Sequence, residues 1–486
     1  MKRTIAVGRE VEGVGSLDSL ARLAVGKMRD FPDGLTVYSD NVTACAAHLL
    51  RDPRVNPQVQ YTGSGVSSVR LGRVVIRDYR RWGDSPGEAI ENADHVADAL
   101  GSVGGTPGAV AASLVRGTVR FRTASDRSYG AASPSTHGGF MVAERGHYSA
   151  NSEDASQGVA WLPDFPAPIR YSQLRCLDIR SAYALAMAGP LPLEGTEDYS
   201  LTKENVTRAI ECGGYVTGEF STGWGRLPVS QHGDFGFRSG IINGTFPGIS
   251  IRRCLGLGGK IKRVSACTSY VFAPHLRPPM DRLLGLREKT GRKIWKAIAN
   301  HTYGRLLGYA LAYTVKKGPQ PLAASTIWES AGYTCAISPP AYRGDLCSPA
   351  AGVWVSATVA ARSMDTIANL QAHGWEVLYW DTDGGIVGHP SESATLGLDS
   401  SWKVRSLASA TVIGKKQYRC TYDDGEVKTI LGGAPEAYKD RLFTSGSCIV
   451  SRNQSLPEAL ESSDPFAKRL DTFDLRSNGT RSRSRS

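Results

Sequence analysis

Glu376-Val377-Leu378-Tyr379-Trp380-Asp381-Thr382-Asp383-Gly384-Gly385-Ile386-Val387 is the stretch on which the reading of the fold turns. Apolar residues run up to an Asp-Thr-Asp-Gly-Gly turn and resume after it. The pattern predicts a tight β-hairpin, because Asp and Gly tolerate the unusual dihedrals of a short turn. Two carboxylates at its tip, Asp381 and Asp383, would ride on a rigid scaffold, where a divalent metal could bridge them to a phosphate. Taken alone, such a turn is most often a solvated one. Its meaning therefore depends on distant parts of the chain.

The 486 residues are enough for several subdomains, and 41% hydrophobic with 21% charged residues is a globular composition. Lys and Arg number 57 against 46 Asp and Glu, a net +11. That excess favours a polyanionic partner, nucleic acid being the commonest, with plain solubility as the alternative. The nine cysteines are scattered singly, without Cys-x-x-Cys pairs or zinc spacing, as in a reduced, cytosol-like compartment. The residues after Met1-Lys2-Arg3 are too briefly apolar for a signal peptide, and no apolar run reaches the roughly 20 residues of a membrane span. A soluble, cytoplasmic protein without a membrane partner is expected.

Residues 1 to about 100 read as an α/β unit. Apolar runs at Thr4 to Val7, Leu35 to Tyr38 and Val69 to Ile76 alternate with helical patterns at Leu17 to Met28, Ala44 to Arg51 and Gly87 to Leu100. In the Gly- and Ser-rich region that follows, His137-Gly138-Gly139-Phe140 could let backbone approach a phosphate, or be a plain turn. Leu174 to Ile179 reads as a strand ending in Asp178-Ile179, with Ser181 at the N-cap of a helix from Ala182 to Met187. Residues 196 to 278 look like mixed strand and loop with a basic surface at Arg252, Arg253, Lys260, Lys262 and Arg263. From Met280 the period becomes helical: Lys289, Arg292, Lys293, Lys296, Asn300 and Tyr303 recur at three and four along one face. Residues 309 to about 347 form an insertion, and Ala350 to Gln371 a helix leading into the hairpin. Lys416 and Tyr418 sit two apart on a strand and so share a face. The tail 479–486 is low-complexity and basic, and reads as disordered.

In order, the chain offers Asp178-Ile179-Arg180-Ser181-Ala182-Tyr183, then Lys296-Ala297-Ile298-Ala299-Asn300-His301-Thr302-Tyr303-Gly304, then Tyr379-Trp380-Asp381-Thr382-Asp383. The series resembles the three polymerase motifs of family B DNA polymerases. Lys416-Gln417-Tyr418 resembles the motif that holds primer DNA, and Thr136-His137-Gly138-Gly139 the one between exonuclease and polymerase modules, with Thr136 for its tyrosine. Gly189-Pro190-Leu191-Pro192 and the long gap before the second motif resemble the protein-primed branch of phages and linear plasmids. Ala182 and Ala184 replace the usual Leu and Pro, His301 replaces Ser, and Gly384 replaces the common Ser after the third motif.

The resemblance implies a multi-domain α+β fold, a right-hand polymerase with an antiparallel palm sheet, helical fingers, a small thumb and an N-terminal α/β exonuclease-like domain. The expected divisions are 1–130 exonuclease-like, 131–195 first palm part, 196–278 insertion, 279–308 fingers, 309–347 second insertion, 348–440 second palm part, and 441–486 thumb and tail. It implies two Mg²⁺ ions, replaceable by Mn²⁺, on Asp178, Asp383 and Asp381 with the Ile179 carbonyl. Lys296 would bind nucleotide phosphates, assisted by Arg292 or Lys293. Tyr303 and Asn300 would lie at the nascent pair, Tyr183 would exclude a ribose 2′-hydroxyl, and Lys416 and Tyr418 would grip the primer, with His137, Gly138 and Gly139 near DNA. The implied partners are template and primer DNA, deoxynucleoside triphosphates and a priming terminal protein, the chain itself acting as a monomer. A D-x-E pair is absent, Glu10-Val11-Glu12 being a poor substitute, so the exonuclease-like domain is expected to lack proofreading. The competing readings are an inert polymerase-like binding protein and a primase-like or RNA-copying enzyme.

Overall fold

The computed structural model describes residues 2–7, 10–12, 14–25, 34–62, 65–101, 106–116, 148–151, 169–196, 201–222, 227–231, 234–237, 240–307, 309–318, 325–343, 348–414 and 416–475. His137, Gly138, Gly139 and the tail 479–486 lie outside the described residues. The chain divides into two compact units, one of Met1–Gly117, Leu283–Cys347 and Ser451–Asp471, the other of Thr118–Arg282, Ser348–Val450 and Thr472–Ser486.

In the first unit, strands Lys2–Val7, Leu35–Ser39 and Val74–Asp78 run parallel. Leu35–Ser39 is buried along its whole length, as a central parallel strand covered on both faces must be. Asn41 caps the helix Val42–Arg51, its side chain accepting from the Ala44 N–H at 3.1 Å. The single run expected from Val69 to Ile76 is instead two antiparallel strands, Gly65–Leu71 and Val74–Asp78, because Gly72 adopts a φ of 55° and reverses the chain. The insertion contributes three strands, Tyr309–Lys317, Ser325–Ser330 and Tyr333–Arg343, to the same ten-stranded sheet. Helix Leu456–Glu461 buries Leu456, Ala459 and Leu460 in this unit's core, and Arg51 donates to the Ala459 carbonyl at 2.8 Å near its C-terminus.

The long helix expected from Met280 is broken. Arg277–Thr290 and Ile294–Leu307 are separate helices, with Gly291 at φ 68° between them. Arg292 and Lys293 therefore lie in the break, and only Lys296, Asn300 and Tyr303 share a helix face.

In the second unit the strands Glu376–Asp381, Gly384–His389, Gln173–Ile179, Trp402–Gly414, Gln417–Tyr422 and Val427–Leu431 follow one another across an antiparallel sheet. Leu177, Ile179, Trp380, Val387 and Trp402 face one way and pack under Val359, Ile367 and Leu370 of helix Pro349–Ala372. Trp380 and Trp402 meet edge to face at 5.9 Å. Burying each such side chain stabilises the layer by roughly 1.5–3 kcal/mol. Alternation along the strands turns Leu174, Tyr379, Ile386 and Leu407 to the opposite face, where they form a second cluster with Tyr418 against it.

Residues 196–278, expected to be strand and loop, also hold two helices, Lys203–Glu211 and Gly248–Gly256, with an antiparallel sheet in the order Leu191–Thr196, Lys260–Ala273, Gly214–Thr222, Gly240–Pro247. Of the basic residues there, Arg253 pairs with Asp365 and Arg252 lies 3.9 Å from Glu211. The described cysteines are free thiols. Among the described residues no helix is long and apolar enough to cross a membrane.

Candidate active site

The hairpin of Glu376–Asp381 and Gly384–His389 closes through two residues, Thr382 and Asp383. The Asp383 N–H donates to the Asp381 carbonyl at 2.8 Å, a three-residue turn centred on Thr382. Asp and Gly were expected to take the left-handed conformation; Thr382 takes it, at φ 62°. For a β-branched residue this costs of order 1–3 kcal/mol. Two contacts hold it there. The Ser363 hydroxyl donates to the Thr382 carbonyl at 2.8 Å, and the Thr382 hydroxyl donates to Asp381 Oδ1 at 2.9 Å.

The glycines serve close approach instead. A β-carbon on Gly384 would sit 2.3 Å from the Leu177 carbonyl oxygen, and one on Gly385 would sit 2.4 Å from the Tyr379 carbonyl oxygen. Gly384 pairs with Asp381 on one side and Asp178 on the other. Residues directly opposite in antiparallel strands share a face. Asp178 and Asp381 therefore point the same way, two strands or roughly 10 Å apart, across a position that carries no side chain. Asp383 joins them through its backbone, its carbonyl accepting from the Ile179 N–H at 2.8 Å. On the far side the Arg180 N–H donates to the Ser401 carbonyl at 2.8 Å. The end of the Asp178 strand is thus fastened on both flanks.

The same lateral row continues to Lys403, which lies opposite Asp178 on Trp402–Gly414. Sequence reading missed Lys403 and Ser363, since each is defined by a partner far along the chain, and it gave Tyr379 only as part of the third motif, without its contact to Lys416.

Asp178 is half-buried, and among the described residues its carboxylate has neither a hydrogen bond nor an ion pair. No group of three or more His, Cys, Asp or Glu side chains among the described residues is disposed to hold a metal. What the row offers is carboxylate and carbonyl oxygen with an open gap. That donor set fits Mg²⁺, which is commonly held by one or two carboxylates plus substrate phosphates and water rather than a closed protein cage.

Lys416 and Tyr418 come to this hairpin, but they do not share a strand face as expected: the strand is Gln417–Tyr422, and Lys416 sits in the turn before it. Lys416, at φ 55°, donates its backbone N–H to the Tyr379 hydroxyl at 3.1 Å, and the rings of Tyr379 and Tyr418 lie 4.9 Å apart. Burial, reinforced by the Asp381 charge and a hydrogen bond to Asp381, holds the Tyr379 hydroxyl well above the usual phenol range. Burial does the same for Tyr418, with Tyr379 adding to it.

Tyr183 is half-buried and packs against the core beneath Asp178. Its helix, Ala182–Ala188, starts at Ser181 as expected, but Ser181 has φ 51° and makes no side-chain cap. Ala182 and Ala184 are buried at that helix start.

The remaining candidates belong to the first unit. Lys296 and Asn300 are exposed on Ile294–Leu307 and Tyr303 is half-buried, while Trp295, Ile298 and Leu306 form the packed side. Arg292 donates to Asn92 Oδ1 at 3.0 Å and Lys293 lies 3.4 Å from Asp84. His301 is exposed at its surface, and partial desolvation, with the Arg81 and Arg305 charges, pushes its pKa down. Glu10 and Glu12 are both exposed at the short strand Glu10–Val11.

No family model and no curated protein matches this chain. Solved structures do. Phi29 DNA polymerase complexed with primer-template DNA and incoming nucleotide substrates is similar at a TM-score of 0.66, covering 95% of this chain and 93% of that one at 13% identity. The same polymerase complexed with single-stranded DNA scores 0.62 at 13% identity, and its orthorhombic crystal form 0.61 at 12%, with the same coverage. At such identity the likeness is one of fold. The chain has the right-hand polymerase architecture that its three motifs predict, with palm, fingers, thumb and an N-terminal α/β domain.

Proposed function

We propose that the chain is a template-directed DNA polymerase of the protein-primed type, adding deoxynucleotides to a 3′ end and lacking 3′–5′ proofreading. The observation that carries this reading is the strand Gln173–Ile179 laid in register against the strand that follows the Asp381-Thr382-Asp383 turn, with Asp178 opposite Gly384, within a polymerase fold. The test is primer extension with magnesium on a primed DNA template, and absence of extension there would overturn it.

Two divalent ions at Asp178, Asp383 and Asp381, with the Ile179 carbonyl, would make the primer 3′-oxygen more acidic and offset charge on the triphosphate. The 3′-oxygen attacks the α-phosphorus as the bond to the bridging oxygen breaks and pyrophosphate leaves. Lys296 meets the triphosphate as a point charge, and Tyr303 and Asn300 line the nascent pair. Tyr379, neutral and buried, orients Lys416 through its backbone, so that Lys416 and Tyr418 hold the primer end beside the carboxylates. A terminal protein hydroxyl would replace the primer oxygen at initiation.

Tyr183 packs under the sugar in this reading. Tyr183→Ala should reduce discrimination against ribonucleotides by about tenfold or more, measured as the ratio of kcat/KM for dNTP and rNTP. An unchanged ratio would favour the RNA-copying reading. The first unit, whose exposed Glu10 and Glu12 are a poor substitute for a D-x-E pair, should not trim a mismatched 3′ end with magnesium. Metal-dependent shortening of such a primer, persisting in Asp383→Ala, would show proofreading after all.

A further inference from the structure

We propose that Lys403 is a phosphate ligand of the reaction site, its ammonium meeting the triphosphate of the incoming nucleotide from the palm. The proposal rests on the polymerase reading above and adds a residue to it. Lys403 is directly opposite Asp178 in register, so the two side chains leave the same face with β-carbons about 5 Å apart. They nevertheless make no ion pair, and among the described residues Lys403 has no hydrogen-bond or salt-bridge partner at all. It is exposed.

Arg405 shows what a committed cation on this strand looks like. Two residues along and on the same face, it binds Asp424 at 2.9 Å and Glu426 at 2.7 Å and lies 3.4 Å from the centre of the Tyr422 ring. Arg419 on the neighbouring strand is likewise paired, with Asp440 at 2.9 Å. Lys403, unlike these two arginines, has no such partner among the described residues. A row of carboxylates repels an unescorted triphosphate, and a lysine is a compact, mobile point charge suited to a phosphate that changes position as its bond breaks. A phosphate held at Asp178 by divalent ions would come within reach of the flexible stem of Lys403.

The test uses the full chain with primer-template DNA. The dNTP KM is measured in extension, and dNTP affinity separately by equilibrium binding to a dideoxy-terminated primer complex with Ca²⁺. Lys403→Ala should raise both KM and Kd about tenfold, the loss of one charge-assisted contact at an open site, while kcat stays within about twofold. Lys403→Arg, which keeps the charge, should recover most of the affinity. Unchanged KM and Kd in Lys403→Ala, with a wild-type protein that extends primers, would overturn the role of Lys403 alone. A fall in kcat with unchanged Kd would overturn it too, assigning Lys403 to positioning Asp178. A wild-type protein that neither extends a primer nor binds dNTP would overturn both this inference and the polymerase reading.

Discussion

Asp178→Ala should lower magnesium-dependent primer extension by about 10³-fold or more while leaving the fold about as stable as before. The rate expectation follows from charge: losing a ligand that positions a divalent ion against a developing phosphoryl charge forfeits several kcal/mol, and 4 kcal/mol is about 10³ in rate. The stability expectation follows from what the side chain does in the folded protein. Its carboxylate is half-buried, makes no hydrogen bond or ion pair among the described residues, and shares a sheet face with Asp381. Truncating it removes repulsion from Asp381, roughly 10 Å away, together with the attraction of Lys403 directly opposite, but no hydrogen bond or ion pair among the described residues. Asp383→Ala should match the loss in rate, since the backbone carbonyl that accepts from Ile179 survives the substitution. Asp381→Ala is a poorer probe, because it also removes the acceptor for the Thr382 hydroxyl. Extension rates and thermal melting of the three variants decide the matter. An Asp178→Ala protein within tenfold of wild type would mean that the row does not hold the reacting charge.

The convergence of Asp178 with the hairpin was legible because each stretch carries its own local signal: a strand run stopped by Asp, and a turn between apolar strands. What was not legible is lateral. Strand register is set by which faces are buried once the sheet forms, so nothing near Lys403 announces Asp178 as its neighbour, and nothing near Ser363 announces the Thr382 carbonyl. The helix break at Gly291 was obscured because the cationic spacing of three and four runs straight across it, and periodicity alone cannot register one glycine at φ 68°. Lys203–Glu211 did have a readable start, Thr202 accepting from the Asn205 N–H at 3.2 Å, but nine residues amid Gly-rich strands give a weak helical pattern. The joining of residues 309–343 to the N-terminal sheet could not be read, since edge pairing between segments some 250 positions apart leaves no trace in either.

Gly384→Ser is the second variant expected to have a large effect, and it is the more discriminating one. The resemblance to family B polymerases makes Ser the ordinary residue after the third motif, so by analogy the change should be harmless. The geometry says otherwise. A β-carbon at Gly384 meets the Leu177 carbonyl oxygen at 2.3 Å and the Asp178 Cα at 3.1 Å. Both are backbone atoms in the centre of a sheet, with no rotamer to turn away. Gly384–His389 and Gln173–Ile179 would have to separate locally, loosening the pairing that sets Asp178 opposite Gly384 and the contact from Ile179 to Asp383. Overpacking of this kind costs about 1–3 kcal/mol, and displacing a reacting group by an ångström costs about 10² in rate. Extension should therefore fall about a hundredfold and the melting temperature should drop, in contrast to Asp178→Ala, where only the rate falls. Gly285→Ala is the matched control: in helix Arg277–Thr290, with nothing within 4 Å of an added β-carbon, it should be neutral or slightly stabilising. Were Gly384→Ser to extend primers at the wild-type rate with unchanged melting, the two strands could not lie as closely as their register requires, and the carboxylates would owe their common face to something other than the bare glycine between them.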